Sequence, residues 1–309
     1  MKVSVIIPCC NVEAFIGNCL QSVLQQTYSA LQIICVDDAS TDGTVAMIQH
    51  MQQDHPSRIE LLQHAERKGA NAARNSGLKA SNGTYLQFLD ADDILRPEKI
   101  AKQVKVAQEH DLPSLIIGDY ENQYPNGRKE IVRAEYDRPW LALAKGKCGT
   151  TSANLWQREA LIAAGNWDED LKSSQDHELI YRILKLGGRV VFDRMVGTEI
   201  FKRAEGSISR TNITDNWIRY VHLRHKIRGY LAAMRPSEKE AIDVLDRNIF
   251  GALTIIAKQE RELAIEEFQR IFPKGYIPQR PWHAHWMNRL FGFAATTRLR
   301  SQQRHGCDR

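Results

Sequence analysis

Apolar and polar positions alternate along the first half of the chain in short blocks of two kinds. Val3–Pro8 and Leu31–Val36 are compact, β-branched runs, the pattern of strands buried on both faces. Ile59–Gln63, Tyr85–Leu89 and Leu115–Gly118 are shorter runs that read as strands. Between them the spacing is helical: Glu13–Gln25, with Phe15, Ile16, Leu20, Val23 and Leu24 on its apolar side, then Thr44–Gln53, Ala70–Ala80 and Pro97–Glu109. This alternation predicts right-handed βαβ units around a mostly parallel sheet. After Asn154 the rhythm loosens into helices at Arg158–Ala164 and from about Gln175 to Leu186, with a strand at Arg189–Asp193. From residue 211 the pattern is helical, Trp217–Ala233 and Ser237–Phe272, interrupted by Pro236 and Pro273. The expected fold is therefore an α/β domain over 1–210 followed by a helical extension over 211–309.

Polar residues gather where strands end. Strand two runs into Asp37-Asp38-Ala39-Ser40-Thr41-Asp42, and the fourth into Asp90-Ala91-Asp92-Asp93. Ligands of open α/β sheets bind beyond the carboxyl ends of the strands, where both clusters fall. Three carboxylates at one strand end repel one another, and a hard divalent cation with oxygen ligands relieves that repulsion. A carboxylate at Asp37-Asp38 suits a nucleobase N–H or ribose hydroxyls, whereas Ser40 and Asp42 read as helix caps.

Composition narrows the classes without deciding among them. The 309 residues are 26% charged and 43% apolar, enough for a sizeable core and unlike a disordered or disulfide-scaffold chain. The net charge of +5 is too mild to imply a nucleic-acid partner. It is unevenly placed: residues 211–309 hold 17 Lys and Arg against 10 Asp and Glu, leaving the front slightly acidic. The six cysteines lack CxxC spacing and read as reduced residues of a cytoplasmic protein. No apolar run approaches the roughly 18–20 residues needed to span a bilayer. A dehydrogenase would need GxGxxG after the first strand, and a nucleotidyltransferase a glycine-rich phosphate loop; CCNVEAF is neither.

The segments VSVIIPCCN, VDDASTDGT and GANAARNSGLKASNGTYLQFLDADD, in that order, resemble the nucleotide-binding half of a family 2 glycosyltransferase with the GT-A fold. GNWDEDLKSSQDHELIYR, residues 165–182, is similar to the family's acceptor-side segment. The resemblance implies a nucleotide-sugar half over 1–110 and an acceptor half over 111–210. It implies that Pro8 and Asp38 border the nucleobase, with Asp38 accepting from a uracil ring, that Asn11 is among the nucleotide-sugar-binding residues, and that Asp90 sits near the ribose. Asp92 would ligate Mn²⁺ or Mg²⁺ at the diphosphate, and Arg74 would hold phosphates or order the site. Asp176 matches the family's catalytic acid and would be the general base, with Glu178 as the fallback and Ser173 or Ser174 capping its helix.

Two positions depart from the family pattern. Cys10 stands where an aromatic residue is common, and Ala204 where a His often approaches the metal; Lys202 and Arg203 beside it read as phosphate-binding charges. The processive QxxRW motif is absent, so one sugar per encounter is expected. The implied reaction is an inverting, metal-dependent hexosyl transfer from a UDP-sugar to a saccharide or lipid-linked glycan of cell-surface polysaccharide or lipopolysaccharide, at the inner face of the cytoplasmic membrane. The alternative is a degenerate relative that binds nucleotide-sugar or glycan without turnover. Trp282, Trp286, Leu290 and Phe293 recur at helical spacing among six arginines between Arg280 and Arg309, suiting 281–309 to an anionic membrane surface, to its own domain or to a second subunit.

Overall fold

The computed structural model describes residues 1–202 and 213–272. The chain divides into two compact units, Met1–Gly206 and Ser207–Arg309. The first opens with β1 (Val3–Cys9), α1 (Glu13–Leu24), β2 (Leu31–Asp37), α2 (Thr44–Asp54), β3 (Ile59–Gln63), α3 (Ala70–Ala80) and β4 (Tyr85–Phe88). β1 pairs in parallel with both β2 and β4, and β2 with β3, as βαβ connections require. Val3, Val5, Ile6 and Ile7 of β1 are fully buried, which is why the strand reads as a continuous apolar run. Helix α3 packs directly on that strand: a side chain added at Gly77 would run into Ile6. Helix α1 buries Ile16, Cys19, Leu20, Ser22 and Val23, whereas Phe15, expected on the apolar side, is 37% exposed. The small residues Cys19 and Ser22, not Phe15, complete the stripe that faces the sheet.

The rest of the unit holds β5 (Ile94–Leu95), α4 (Lys99–Glu109), β6 (Leu115–Gln123), β7 (Lys129–Val132), α5 (Pro139–Lys145), β8 (Leu155–Gln157), α6 (Arg158–Ala163), α7 (Gln175–Lys185) and β9 (Val190–Phe201). The sheet order is β3-β2-β1-β4-β8-β6-β9-β5, with β7 paired to β6. Its second half is mixed: β8 runs antiparallel to β4 and β6, and β5 antiparallel to β9, while β6 and β9 are parallel. Strands β6 and β9 extend well beyond the short runs expected at Leu115–Gly118 and Arg189–Asp193, through a register shift at Gly118–Tyr120. Their outer halves carry polar residues, Glu121, Asn122 and Glu199, which hid them in the sequence.

A buried lysine underlies the junction of the two halves. Lys99 is 1% exposed and donates its amine to Gln87 Oε1. Burial pushes the Lys99 amine down to about 7, only partly opposed by the negative charge of Asp193. Between pH 7 and 10.5 the unfolded chain therefore binds a proton that the folded chain does not, so stability rises with pH across that window. In Lys99→Met this rise is expected to vanish, as read from urea midpoints between pH 7 and 10; an unchanged slope would refute the assignment.

The second unit contains α8 (Ile213–Met234), α9 (Lys239–Ile256) and α10 (Arg261–Ile271). The single helix expected over Ser237–Phe272 is broken at residues 257–260 although no Pro or Gly stands there. The break lets α10 fold back so that Phe268 meets Phe250 edge-on, ring centroids 6.0 Å apart, over a core that includes Ile249, Leu253 and Ala264. Among the described residues no helix is long and apolar enough to cross a membrane. Arg203, Ala204 and the segment 281–309 lie outside the described residues.

Candidate active site at the carboxyl edge of the sheet

The loops after β1 and β2 are stitched together by their own polar residues. Asn11 and Ala39 both take left-handed backbone, φ 53° and 56°, which turns each loop sharply off its strand. Asn11 Oδ1 accepts the Thr41 N–H at 2.8 Å, and Ser40 Oγ accepts the Asn11 N–H at 3.0 Å. Asp42 caps two helices at once: its carboxylate accepts from the Thr44 N–H and from the Glu13 N–H, both at 3.1 Å. Glu13 returns the favour by accepting the Gly43 N–H at 2.9 Å. Ser40, Asp42 and Asn11 are thus engaged in loop architecture, and Pro8 sits half-buried beside them, opposite Val36 in register.

Asp38 is held by three protein donors. Its Oδ1 accepts from His64 Nδ1 at 2.7 Å and from the Lys68 N–H at 2.8 Å, and Oδ2 from the Gly69 N–H at 2.7 Å. Burial opposes its ionisation, but these donors outweigh that and hold the carboxyl below the usual range. His64 is itself fixed by Ser76 Oγ at 2.9 Å from Nε2. About one lone pair of Oδ2 remains for a ligand.

Helix α3 presents Asn71, Arg74 and Asn75, three and four residues apart, to the 165–175 segment. Asn71 donates to the Asp168 carbonyl at 2.6 Å, and Asn75 to the Trp167 carbonyl at 2.9 Å while accepting the Trp167 N–H at 3.0 Å. Arg74 is the hub. It donates to Asp90 Oδ1 at 2.8 Å, to Gln175 Oε1 at 2.9 Å and to Asn71 Oδ1 at 2.9 Å, and lies 4.8 Å over the Trp167 ring. Expected either at the phosphates or as an ordering residue, Arg74 is committed to joining the acidic turn after β4 to the start of α7. Arg74→Met is expected to destabilise the protein by about 2–3 kcal/mol. The figure lies below that of a fully buried pair because the Asp90 side chain is 41% exposed. Chemical denaturation checks it, and a loss under 1 kcal/mol would contradict the hub assignment.

The acidic turn distributes its three carboxylates unequally. Asp90 keeps substantial exposure beside Arg74, and Asp92 is half-buried. Asp93 is 3% exposed, accepting from Ser152 Oγ at 2.7 Å and from the Phe201 N–H at 3.3 Å. Burial, and then the negative charges of Asp90 and Asp92, push the Asp93 carboxyl well up. That concentration of negative charge is the environment a divalent cation relieves. Among the described residues no three His, Cys, Asp or Glu side chains form a ready-made metal cluster. The donor set therefore fits a hard ion bound through one or two carboxylates, with its shell completed by substrate oxygens.

Asp176 lies in the first turn of α7, next to Gln175, and its Oδ1 accepts the His177 N–H at 2.8 Å. Ser174 stands at the cap in left-handed conformation, φ 57°, and its side chain makes no capping bond. Glu178 is committed to Arg182 at 2.6 Å and is 7% exposed, which removes it as an available acid. Tyr120 of β6 is pushed up to about 12 by burial and then by the charge of Asp176, an aromatic neighbour that sequence reasoning missed. His64, Ser152, Gln87 and Lys99 were missed as well: Gln87 lies in an apolar run, His64 and Ser152 in unpatterned loops, and Lys99 reads as one of several surface lysines of its helix. Lys202 is exposed just past the end of β9, where its N–H pairs with the Gln123 carbonyl.

Pro8 at the end of β1, Asn11, Asp38, Asp90 and Asp92 in the loops beyond β1, β2 and β4, Arg74 on α3 and Asp176 at the head of α7 are thus placed at or near the carboxyl edge of the sheet. A family model described as glycosyl transferase family 2 matches residues 4–160, half of the chain. The chain belongs to this family. Glycosyltransferase GlyG of Streptococcus pneumoniae is 28% identical over 234 residues, covering 70% of this chain and 76% of its own. A UDP-Glc:α-D-GlcNAc-diphosphoundecaprenol β-1,3-glucosyltransferase of Escherichia coli, WfgD, is 37% identical over 119 residues, 38% of this chain and 46% of its own. Other curated glycosyltransferases, from Nostoc and Escherichia coli, align over only 34% and 32% of their own length. Among solved structures, residues 1–349 of TarS from S. aureus in complex with UDP-GlcNAc superpose with a TM-score of 0.72 at 18% identity, over 99% of this chain and 92% of that one. That likeness gives the GT-A fold to the family 2 chain.

Proposed function

We propose that this family 2 glycosyltransferase moves one sugar from a UDP-sugar to a hydroxyl of a saccharide or lipid-linked glycan, with inversion. The observation that carries the reading is the Arg74 hub, which fixes the acidic turn and the head of α7 to one another. Donor carboxylates and a candidate base then belong to one rigid assembly, as a single displacement requires. Asp38 offers its remaining lone pair to the N–H of the base, and Pro8 and Asn11 border it. Asp90 meets the ribose. Asp92 holds Mn²⁺ or Mg²⁺ together with the diphosphate. When bound, that ion neutralises charge developing on the departing diphosphate. Asp176 takes the proton of the acceptor hydroxyl as it attacks the anomeric carbon. Lys202 and Arg203 add positive charge toward the phosphates.

The acceptor assignment, a growing cell-surface polysaccharide or lipopolysaccharide at the inner face of the cytoplasmic membrane, is supported by the printed activity of WfgD, a relative that acts on a diphosphoundecaprenol-linked sugar. The basic, tryptophan-containing segment 281–309 would bring the enzyme to that surface or to a second copy. The test is calorimetric titration of the native chain with UDP, GDP and dTDP, with and without Mn²⁺, followed by incubation with UDP-sugars. Mn²⁺-dependent preference for UDP, with slow release of UDP from a UDP-sugar, is the expected result. Binding without any turnover would support instead the non-catalytic relative that Cys10 and Ala204 hint at, and no nucleotide binding would remove the donor site altogether.

A further inference from the structure

The acidic turn is held from behind by a residue of neither acidic motif. Ser152 lies in the loop between α5 and β8 and is 1% exposed. Its hydroxyl oxygen accepts the Asp90 N–H at 3.1 Å, while its own proton goes to Asp93 Oδ2 at 2.7 Å. Its carbonyl accepts from Gln87 Nε2 at 2.8 Å and from Thr198 Oγ1 at 3.3 Å. The second oxygen of Asp93 accepts the Phe201 N–H at 3.3 Å, the last residue of β9. One buried serine therefore spans both ends of the turn and ties it to β4 and β9. Lys99 backs the arrangement by donating to the far end of the Gln87 amide.

We propose that Ser152 is a positioning residue for the donor site: by bridging the Asp90 N–H and the Asp93 carboxylate it fixes the backbone that carries Asp92. This rests on the reading of the acidic turn as the metal–diphosphate site. A core serine kept only for packing would be replaceable by alanine, which fills nearly the same space. Here the replacement strips a partner from two buried polar groups that flank Asp92 within the same turn. Asp93 would keep the Phe201 N–H but lose the hydroxyl that ties its other oxygen to the Asp90 end of the turn.

The test is calorimetry of UDP in the presence and absence of Mn²⁺ on the native chain, Ser152→Ala, Ser152→Cys and Val23→Ala. Val23 is fully buried in the core on α1 and serves as a destabilised control that removes no hydrogen bond of the turn. Ser152→Ala is expected to weaken Mn²⁺-dependent UDP binding about 10–100-fold, and to leave the Mn²⁺-independent component in place. Ser152→Cys keeps the volume but hydrogen-bonds poorly; it is expected to lose affinity in the same direction and replaces the alanine variant if that one does not fold. Val23→Ala is expected to bind as the native chain does. Affinity within about twofold of native in the folded Ser152 variants, or an equal loss in Val23→Ala, would overturn the proposal while leaving the donor site standing. A native chain with no Mn²⁺-dependent UDP binding would instead overturn the donor reading, and this one with it.

Discussion

Asp176→Asn is expected to lower kcat about 10²–10⁴-fold with the Mn²⁺-dependent affinity for UDP unchanged. Asparagine keeps the shape of the side chain and can still accept the His177 N–H, so the first turn of α7 should persist. What it cannot do is take a proton from the attacking hydroxyl. The residue sits beyond Gln175, on the far side of Arg74 from Asp90, so donor binding has no reason to change. Loss confined to kcat, equal in kcat/KM, marks an interaction made in the transition state. Glu178 offers no substitute, because its carboxylate is spent on Arg182. Glu178→Gln should therefore appear in stability before it appears in turnover. Activity of Asp176→Asn within a few-fold of native, measured by UDP release with a competent acceptor, would move the base elsewhere.

Asp92→Ala should remove the metal-dependent part of UDP binding, a loss on the order of 10²-fold or more for a direct ligand, given that supporting residues alone are worth 10–100-fold. The three carboxylates of the turn are not interchangeable. Asp93 is buried and occupied by Ser152 and Phe201, and Asp90 is paired with Arg74. Asp93 cannot step in without breaking those bonds, and Asp90 is held toward Arg74 by one of its oxygens. Removing one of three crowded negative charges should also relieve repulsion on buried Asp93, leaving metal-free stability within about 1 kcal/mol of native. Calorimetry of UDP with Mn²⁺ beside metal-free thermal melts separates the two effects. Undiminished Mn²⁺-dependent binding in the variant would place the ion elsewhere.

Much of the donor half was legible because its residues have single-purpose environments. Strands buried on both faces must be continuously apolar, so β1 and β2 announce themselves. The acidic clusters stand out because carboxylates do not otherwise follow such strands. The part of the sheet from β5 to β9 was harder to read. Strands β7 and β8 are short, and the outer parts of β6 and β9 alternate with charges that serve local pairs, such as Arg96 with Glu199 at 3.1 Å. The α9–α10 break carries no proline or glycine; it exists because Phe268 and Phe250 have each other to pack on.

The sequence by itself determined the alternating α/β framework, the strand-end carboxylates and the motif order that assigns the family, since each depends on local periodicity or on neighbours a few residues apart. It also supplied Arg74 as a residue of interest, but not what the guanidinium touches. Only the tertiary structure decided that Arg74 unites Asp90 with Gln175, residues that both follow it in the chain and stand more than eighty positions apart. Only there did Glu178 turn out to be spent, Asp38 to be shared with His64, and Ser152 to stand beneath the acidic turn. These are polar contacts between distant segments, and nothing in local spacing encodes them. A side chain's charge is written in the sequence, but which partner claims it depends on how the sheet brings the loops together.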